Sequence, residues 1–591
     1  MDPYQRFRNY MQEKQPGVVE FFRPTRRKVS TAVGVVALAA ILSTSLVATH
    51  HGHAPQPAVT DPQAQAVQLD ALLSPDNWQY MAGVSAEADG VHVTGLDREI
   101  VNQDGTGGQP NPPVNLTGPH LEVSGDFEID ATMKGISDKP VSIDLYGEVP
   151  VAYDEWRHEG ARVRMSLTKD SLAVSVWDGT KETPASTQTV AAKLGDKAEL
   201  RIKQAGHTIT IADGPVALGV FEDGKAFGGG KVWFGLDGTL GAPAWTLSSL
   251  KASALPGGKV QAQKIDFKKP VAQDAGALRS LAAARTAHPI QIGAAVSLDS
   301  LATNGTLRGI VGREFSQITT ENALKLQFVH PQPNVYTFAE ADALVDFAKA
   351  NNITVHGHAL LFGEANPAYL QKLPATERQK AAQDLIAKIV GHYKGRVAEW
   401  DVVNEPLADD DNTLRATIWQ KAMGESLFDV GFQAARQADP QAKLFINEYG
   451  LEADGERWDN FLALVDRLLA RHVPVDGVGF QAHVYEAGDE IDQTVLRKHF
   501  KQLASRRLVA RISEMDVHGE DPAFQAGQYA GVLKACLAES NCLTFGTWGV
   551  SDAFGSTTEA RTYPPSYGDD LLWNDQLQPK AAYSALNRSL R

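Results

Sequence analysis

The residues best placed to do chemistry in this 591-residue chain are two glutamates, Glu405 in EWDVVNEP (399–406) and Glu514 in ISEMDV (512–517). Each lies at or near the end of an apolar, β-rich run. Two carboxylates presented in this way are the minimum equipment for cutting a glycosidic bond. One protonates the departing oxygen, while the other stabilises positive charge on the sugar by attacking it or by activating water. The two must hold different protonation states at one pH. Burial beside a second negative charge raises the acid, whereas hydrogen bonds from neutral donors and positive neighbours keep its partner ionised. Asn404, next to Glu405, and the more distant His483 are candidate donors.

The elements that must position this pair follow from periodicity. From about Leu278 onward, apolar runs at 291–296, 315–322, 354–362, 399–405, 444–450, 475–483, 509–517 and 543–552 alternate with helical patterns at 339–351, 376–393, 414–438, 457–472 and 493–506. Such alternation predicts a parallel sheet with helical crossovers. Eight strand–helix units point to a (β/α)8 TIM barrel, whose active site lies at the C-terminal ends of the strands. Polar residues collect at those ends: Glu321 and Asn322, His358, Glu405, Gln481 and His483, Glu514 and Trp548.

At these residues the chain from about 277 to 590 resembles the catalytic domain of glycoside hydrolase family 10, the endo-β-1,4-xylanases. The motifs LRSLAAAR, FSQITTENALK, ADALVDFAKANNI, VHGHALL, EWDVVNEP, LFINEYG, VDGVGFQAH, RISEMDV, TWGVSD and LQPKAAYSAL carry the resemblance in order. It implies that Glu405 is the general acid/base and Glu514 the nucleophile. It further implies that Glu321, Asn322, Lys325, His358, Asn404, Gln481, His483 and Trp548 line the sugar sites beside the scissile bond. The implied reaction is a retaining double displacement through a glycosyl-enzyme, with the carboxyl groups about 5–5.5 Å apart. Neither a metal nor an organic cofactor is expected, the histidines being too scattered in sequence to form a metal motif. A short disulfide between Cys536 and Cys542, the only cysteines, is implied by the same likeness and suits an oxidising compartment.

The chain departs from the pattern on the non-reducing side of the cleft. Where the family reads GHTLVWHSQ, this chain reads GHALLFGEA: Phe362 stands for a Trp, Gly363 for a His and Ala365 for a Gln, and a later Trp is replaced by Ser556. Loss of an indole and two polar contacts weakens the grip on plain xylose units and leaves room for a bulkier sugar, unless Trp573 or Tyr563 refills the space. The expected substrate is therefore either xylan or, in its place, a bacterial exopolysaccharide or another β-linked glycan.

The remaining chain divides by texture. A basic segment (1–28) precedes a charge-free apolar run at 29–49, close to the roughly 20 residues that cross a bilayer. By the positive-inside rule, Arg23, Arg26, Arg27 and Lys28 keep the N-terminus cytoplasmic and export the rest. The expectation is a single-pass anchor with the catalytic domain outside the cytoplasmic membrane; a cleaved export signal is the alternative. A Pro-, Ala- and Gln-rich linker (50–68) leads to short alternating strands within 69–267, expected as a jelly-roll-like β-sandwich of the kind that binds carbohydrate. Tyr146, Tyr153, Trp156, Trp177 and Trp233 are its candidate sugar platforms. A net charge of −15 argues against nucleic acid as a partner. Three readings stay open: a hydrolase, a transglycosylase that passes the intermediate to a sugar, and a glycan-binding protein that has lost catalysis.

Overall fold

The computed structural model describes residues 66–68 and 83–591, apart from stretches within the latter of which 102–119, 148–160 and 555–568 are the longest. The expected basic segment and membrane anchor, and the linker up to residue 65, lie outside the described residues. Among those described, no helix is long and apolar enough to cross a membrane.

The C-terminal part forms the expected barrel. Its parallel strands run Gln291–Ala295, Gln317–Thr319, Thr354–Gly357, Glu399–Asn404, Lys443–Glu448, Gly477–Phe480, Val509–Val517 and Cys542–Thr547. Neighbours pair in chain order, and the eighth returns to the first. A further strand, His483–Val484, pairs with the end of the seventh. The surrounding helices present their apolar faces to one buried core. Their starts are sequence-encoded: Asp492 and Asp521 accept hydrogen bonds from the first-turn N–H groups of Gln493–Ser505 and Pro522–Leu537, and Pro522 needs no donor there.

Two expectations are corrected. The second and third strands are shorter than their apolar runs, because after Thr319 and Gly357 the chain leaves the sheet to form site loops. At Glu321 it takes a left-handed φ of 41°. The helix expected across 414–438 is two helices, Ile418–Met423 and Ser426–Ala438, separated at Gly424, whose φ of 58° cannot continue a right-handed helix.

The barrel interior holds a buried polar cluster. Gln317, His356, Glu399, Asp401 and Arg511 are buried within it. Gln317 Nε2 donates to Glu399 at 3.1 Å, and His356 spans Glu399 at 3.2 Å and Asp401 at 2.8 Å. Gly357 permits this packing, since a Cβ there would lie 2.3 Å from the Trp400 ring.

The N-terminal part comprises two antiparallel sheets around a separate core. One orders Val216–Glu222, Thr208–Asp213, Lys197–Ala205, Phe127–Lys134, Trp245–Ala254, Gly90–Val93 and Val84–Glu87, with Ala66–Gln68 pairing Trp245–Ala254. The other orders Ser186–Ala191, Ser171–Trp177, Arg162–Thr168, Val141–Tyr146, Lys231–Gly238, His120–Ser124 and Lys259–Gln263. Strict alternation, as in Lys197–Ala205, buries every second side chain. The expected sugar platforms are corrected here. Tyr146, Trp177 and Trp233 are all buried, and Arg162 lies 3.9 Å over the Trp177 ring; Tyr153 and Trp156 lie outside the described residues.

Cys536 and Cys542 form a disulfide, with Cα atoms 5.2 Å apart, linking the end of helix Pro522–Leu537 to the eighth strand. So small a loop contributes about 2 kcal/mol by chain entropy. Replacing both cysteines by Ala is expected to lower Tm by several degrees without changing the reaction, as calorimetry beside an activity assay would read.

Candidate active site

Glu405 and Glu514 face one another across a relay of amides at the C-terminal mouth of the barrel. Asn447, at the end of the fifth strand, donates from Nδ2 to Glu514 Oε1 at 2.5 Å and to Asn404 Oδ1 at 2.8 Å. Asn404 in turn donates to Glu405 Oε1 at 3.2 Å, and Gln481 donates to the same oxygen at 3.1 Å. The backbone is fixed around this relay: Glu405 N donates to Asn447 O, and Glu514 N to Gln481 O. Glu405 itself adopts φ 51°, a strained conformation for a side-chain-bearing residue that the surrounding bonds hold in place. Gly479 leaves room for the bridging amide, because a Cβ there would lie 2.2 Å from Asn447 Oδ1.

The electrostatics separate the two carboxyls. Glu405 is half-buried, and desolvation, then the charges of Glu364 and Glu448, raise it to about 8 against the partial opposition of Arg415. It is thus a proton donor at neutral pH. Glu514 has a different neighbourhood: besides the Asn447 amide, its Oε2 lies 3.5 Å from His483 Nε2, while His483 Nδ1 lies 2.8 Å from Asp516 Oδ1. Burial opposes charge on His483, yet Asp516 and Glu514 together hold it well above the ordinary histidine range. Glu514 thus has a cationic neighbour, where Glu405 has anionic ones.

The remaining expected site residues form a second connected set. Lys325 Nζ donates to Asn322 Oδ1 at 2.8 Å, and Asn322 reaches Glu321 at 3.4 Å. The Lys325 ammonium lies 6.0 Å from the Trp548 ring centre, and Trp548 meets His358 edge-on at 5.2 Å. His358 is held by Asp401 at 2.9 Å. Burial alone would raise Asp401, but His356 and His358 pull it far below the usual carboxylate range. The structure therefore brings the ten expected residues together in two sets of five.

Several participants were not anticipated. Asn447 and Asp516 stand in LFINEYG and ISEMDV, where strand periodicity locates the strand but not the partner on the next one. Glu364, in the altered GHALLFGEA stretch, is exposed at the site's edge and supplies the largest charge effect on Glu405. Glu364→Gln is expected to move the basic limb of the pH profile of kcat/KM to lower pH, by about half a unit to one unit given screening at an exposed site.

The altered loop is well packed. Phe362 is buried with its ring 6.4 Å from His358, and its carbonyl accepts from Trp419 Nε1 at 3.0 Å. The space that a His would need at 363 is filled, since a Cβ there would lie 2.9 Å from Thr417 Cγ2. Trp573 does not refill the space of the lost indole, because it is buried against Phe315 at 5.8 Å and Tyr583 at 4.9 Å. Ser556 and Tyr563 lie outside the described residues.

Comparison with known proteins matches this part of the chain to the family model described as glycosyl hydrolase family 10, over residues 280–589. Endo-1,4-beta-xylanase 3 of Hypocrea jecorina is 31% identical, with 47% of this chain covering 76% of that protein. Endo-1,4-beta-xylanase C of Phanerodontia chrysosporium is 34% identical, with 46% of this chain covering 69% of it. Among solved structures, native xylanase 10B from Thermotoga maritima aligns with a TM-score of 0.50 and 30% identity, over 53% of this chain and 98% of that one. Xylanase 10B from Thermotoga petrophila RKU-1, in complex with xylobiose, aligns with a TM-score of 0.50 and 31% identity, over 53% and 97%.

Proposed function

The chain belongs to glycosyl hydrolase family 10, and from that premise we propose that its barrel is a retaining endo-β-1,4-glycanase in which Glu405 is the acid/base and Glu514 the nucleophile. The observation that carries this assignment is the divided electrostatics: Glu405 is held as a neutral acid to about pH 8, while Glu514 faces an amide and the His483 imidazole. In the first step Glu514 attacks the anomeric carbon as Glu405 gives its proton to the leaving oxygen. The charge on Glu514 is then spent in the new bond. Glu405, now a base, takes a proton from a water that attacks the anomeric carbon from the face opposite Glu514; the bond to Glu514 breaks, its carboxylate is released, and the two inversions retain configuration.

Glu321, Asn322, Lys325, His358 and Trp548 are assigned to hold the sugars beside the bond, and Gln481 and Asn404 to orient Glu405. The family's xylan is the first substrate class, in keeping with the xylanases to which the chain is similar. An exopolysaccharide of bulkier β-linked sugars is the second, favoured specifically by Phe362 and Ala365. The N-terminal sandwich, jelly-roll-like in our reading, supports the barrel rather than offering an aromatic platform, because its described candidate rings are buried. The charge-free run at 29–49 and the disulfide support a membrane-tethered enzyme acting outside the cytoplasm.

The test is mass spectrometry of products after incubating the chain and its Glu514→Ala variant with xylan, mixed β-glucans and exopolysaccharide from the producing cell. Oligosaccharides that depend on Glu514 identify the substrate. Their absence from every polymer would overturn the hydrolytic reading in favour of a glycan-binding protein.

A further inference from the structure

Behind the nucleophile lie two buried side chains that the double displacement does not use, His518 and Asp570. Glu514, Asp516 and His518 follow one another at a spacing of two, which turns them to one side of the seventh strand and its continuation. His518 Nε2 lies 3.7 Å from Asp516 Oδ1 on one side and 3.7 Å from Asp570 Oδ2 on the other. Asp516 in turn holds His483, its Cα partner across the pairing of His483–Val484 with Val509–Val517. Glu514, His483, Asp516, His518 and Asp570 thus form a continuous chain of alternating acidic and basic side chains, buried but for the half-buried His483. Its far end is fixed by the backbone: Asp570 O accepts from Val517 N and from Tyr529 Oη at 2.7 Å, and Asp570 N donates to Asp552 Oδ1 at 3.1 Å.

We propose that His518, held between Asp516 and Asp570, is a positioning residue for the nucleophile: it fixes the Asp516 carboxylate so that His483 is presented to Glu514. This rests on the reading of Glu514 as the nucleophile. Asp516 and Asp570 are both buried acids, and two such carboxylates with nothing between them cannot both keep charge and place. Without His518 their repulsion across less than 4.8 Å would turn Asp516 aside, and His483 would lose the partner that chiefly opposes its burial. The groups facing His518 are Asp516 on its own strand, Asp570 after the eighth strand, and Tyr485 after the sixth, whose ring lies 5.4 Å from His518 and 5.9 Å from His483. Tyr529 and Asp552 touch Asp570 from behind.

The test is an NMR titration of the His483 imidazole in the whole chain, wild type beside His518→Leu and His518→Gln, with kcat and KM measured on the same samples. His518→Leu is expected to lower the His483 midpoint by about one unit, a tenfold loss of proton affinity. Its kcat is expected to fall about tenfold or more, with KM within a factor of about two, as for an interaction realised in the transition state. His518→Gln keeps a donor of similar reach and is expected to shift the midpoint less, in the same direction. Should His518→Leu fail to fold, His518→Gln alone decides against wild type. A His483 midpoint unchanged in the folded variants would overturn the proposal, whatever happens to stability. The three groups Asp516, His518 and Asp570 also come within 4.8 Å of one another, so the titrations are repeated with a chelator. A wild-type midpoint that moves on chelation would overturn the proposal in favour of a bound cation. If the wild-type chain cleaves nothing, the proposed reaction fails while the His483 titration still decides the positioning.

Discussion

Glu514→Ala is expected to lower kcat on any substrate the chain cleaves by at least about 10,000-fold, the scale on which enzymes lose rate when a nucleophile is removed. The substitution deletes the atom that bonds to the anomeric carbon, and it leaves the His483 charge and the Asn447 amide aimed at an emptied space. That space has the size and sign for a small anion. Azide is therefore expected to restore part of the turnover, entering from the nucleophile's side and giving a glycosyl azide of inverted configuration. Restored activity with retained configuration would show that Glu514 was not the attacking group.

Glu405→Gln should behave differently according to the leaving group. On an ordinary glycoside the loss is expected to be about 100- to 10,000-fold, the usual worth of a positioned proton donor. On an aryl glycoside whose phenolate departs unaided, the first step should be nearly normal. The second step, which needs Glu405 as a base, should be slow, so a burst of phenol equal to the enzyme concentration is expected. The wild-type pH profile follows from the same residue. Its acid must be protonated, and burial with the charges of Glu364 and Glu448 holds it up to about 8, so kcat/KM should fall as pH rises through about 8. The variant should lose that limb.

How much of this was legible in the sequence differs between scaffold and site. All eight barrel strands were readable, because parallel strands buried on both faces read as apolar runs. Glu405 and Glu514 stood out because a carboxylate closing such a run is conspicuous. Less legible was everything decided between strands. Asn447, which bridges Glu514 and Asn404, and Asp401, which holds His358, have no local signal to separate them from other polar strand residues; their partners lie on neighbouring strands. Gly479 has a steric reason visible only in three dimensions, its closeness to Asn447.

The altered loop shows the same limit from the other direction. Substitution of Gly363 read as a vacated contact, yet Thr417, from the segment after the fourth strand, occupies the ground. The loop also brings Glu364 into play, whose effect is electrostatic and acts on a residue of another strand.

The measurement that tests the central claim most directly is mass spectrometry of peptides from the chain after reaction with a 2-deoxy-2-fluoro glycoside carrying a good leaving group. Such a reagent slows both steps, and the leaving group lets the first outrun the second, so the glycosyl-enzyme accumulates. The account predicts one added sugar per chain, on the peptide containing Glu514, with none on Glu405 and with the label released by an acceptor sugar. A label on any other residue, or full turnover with inverted product and no label, would contradict it.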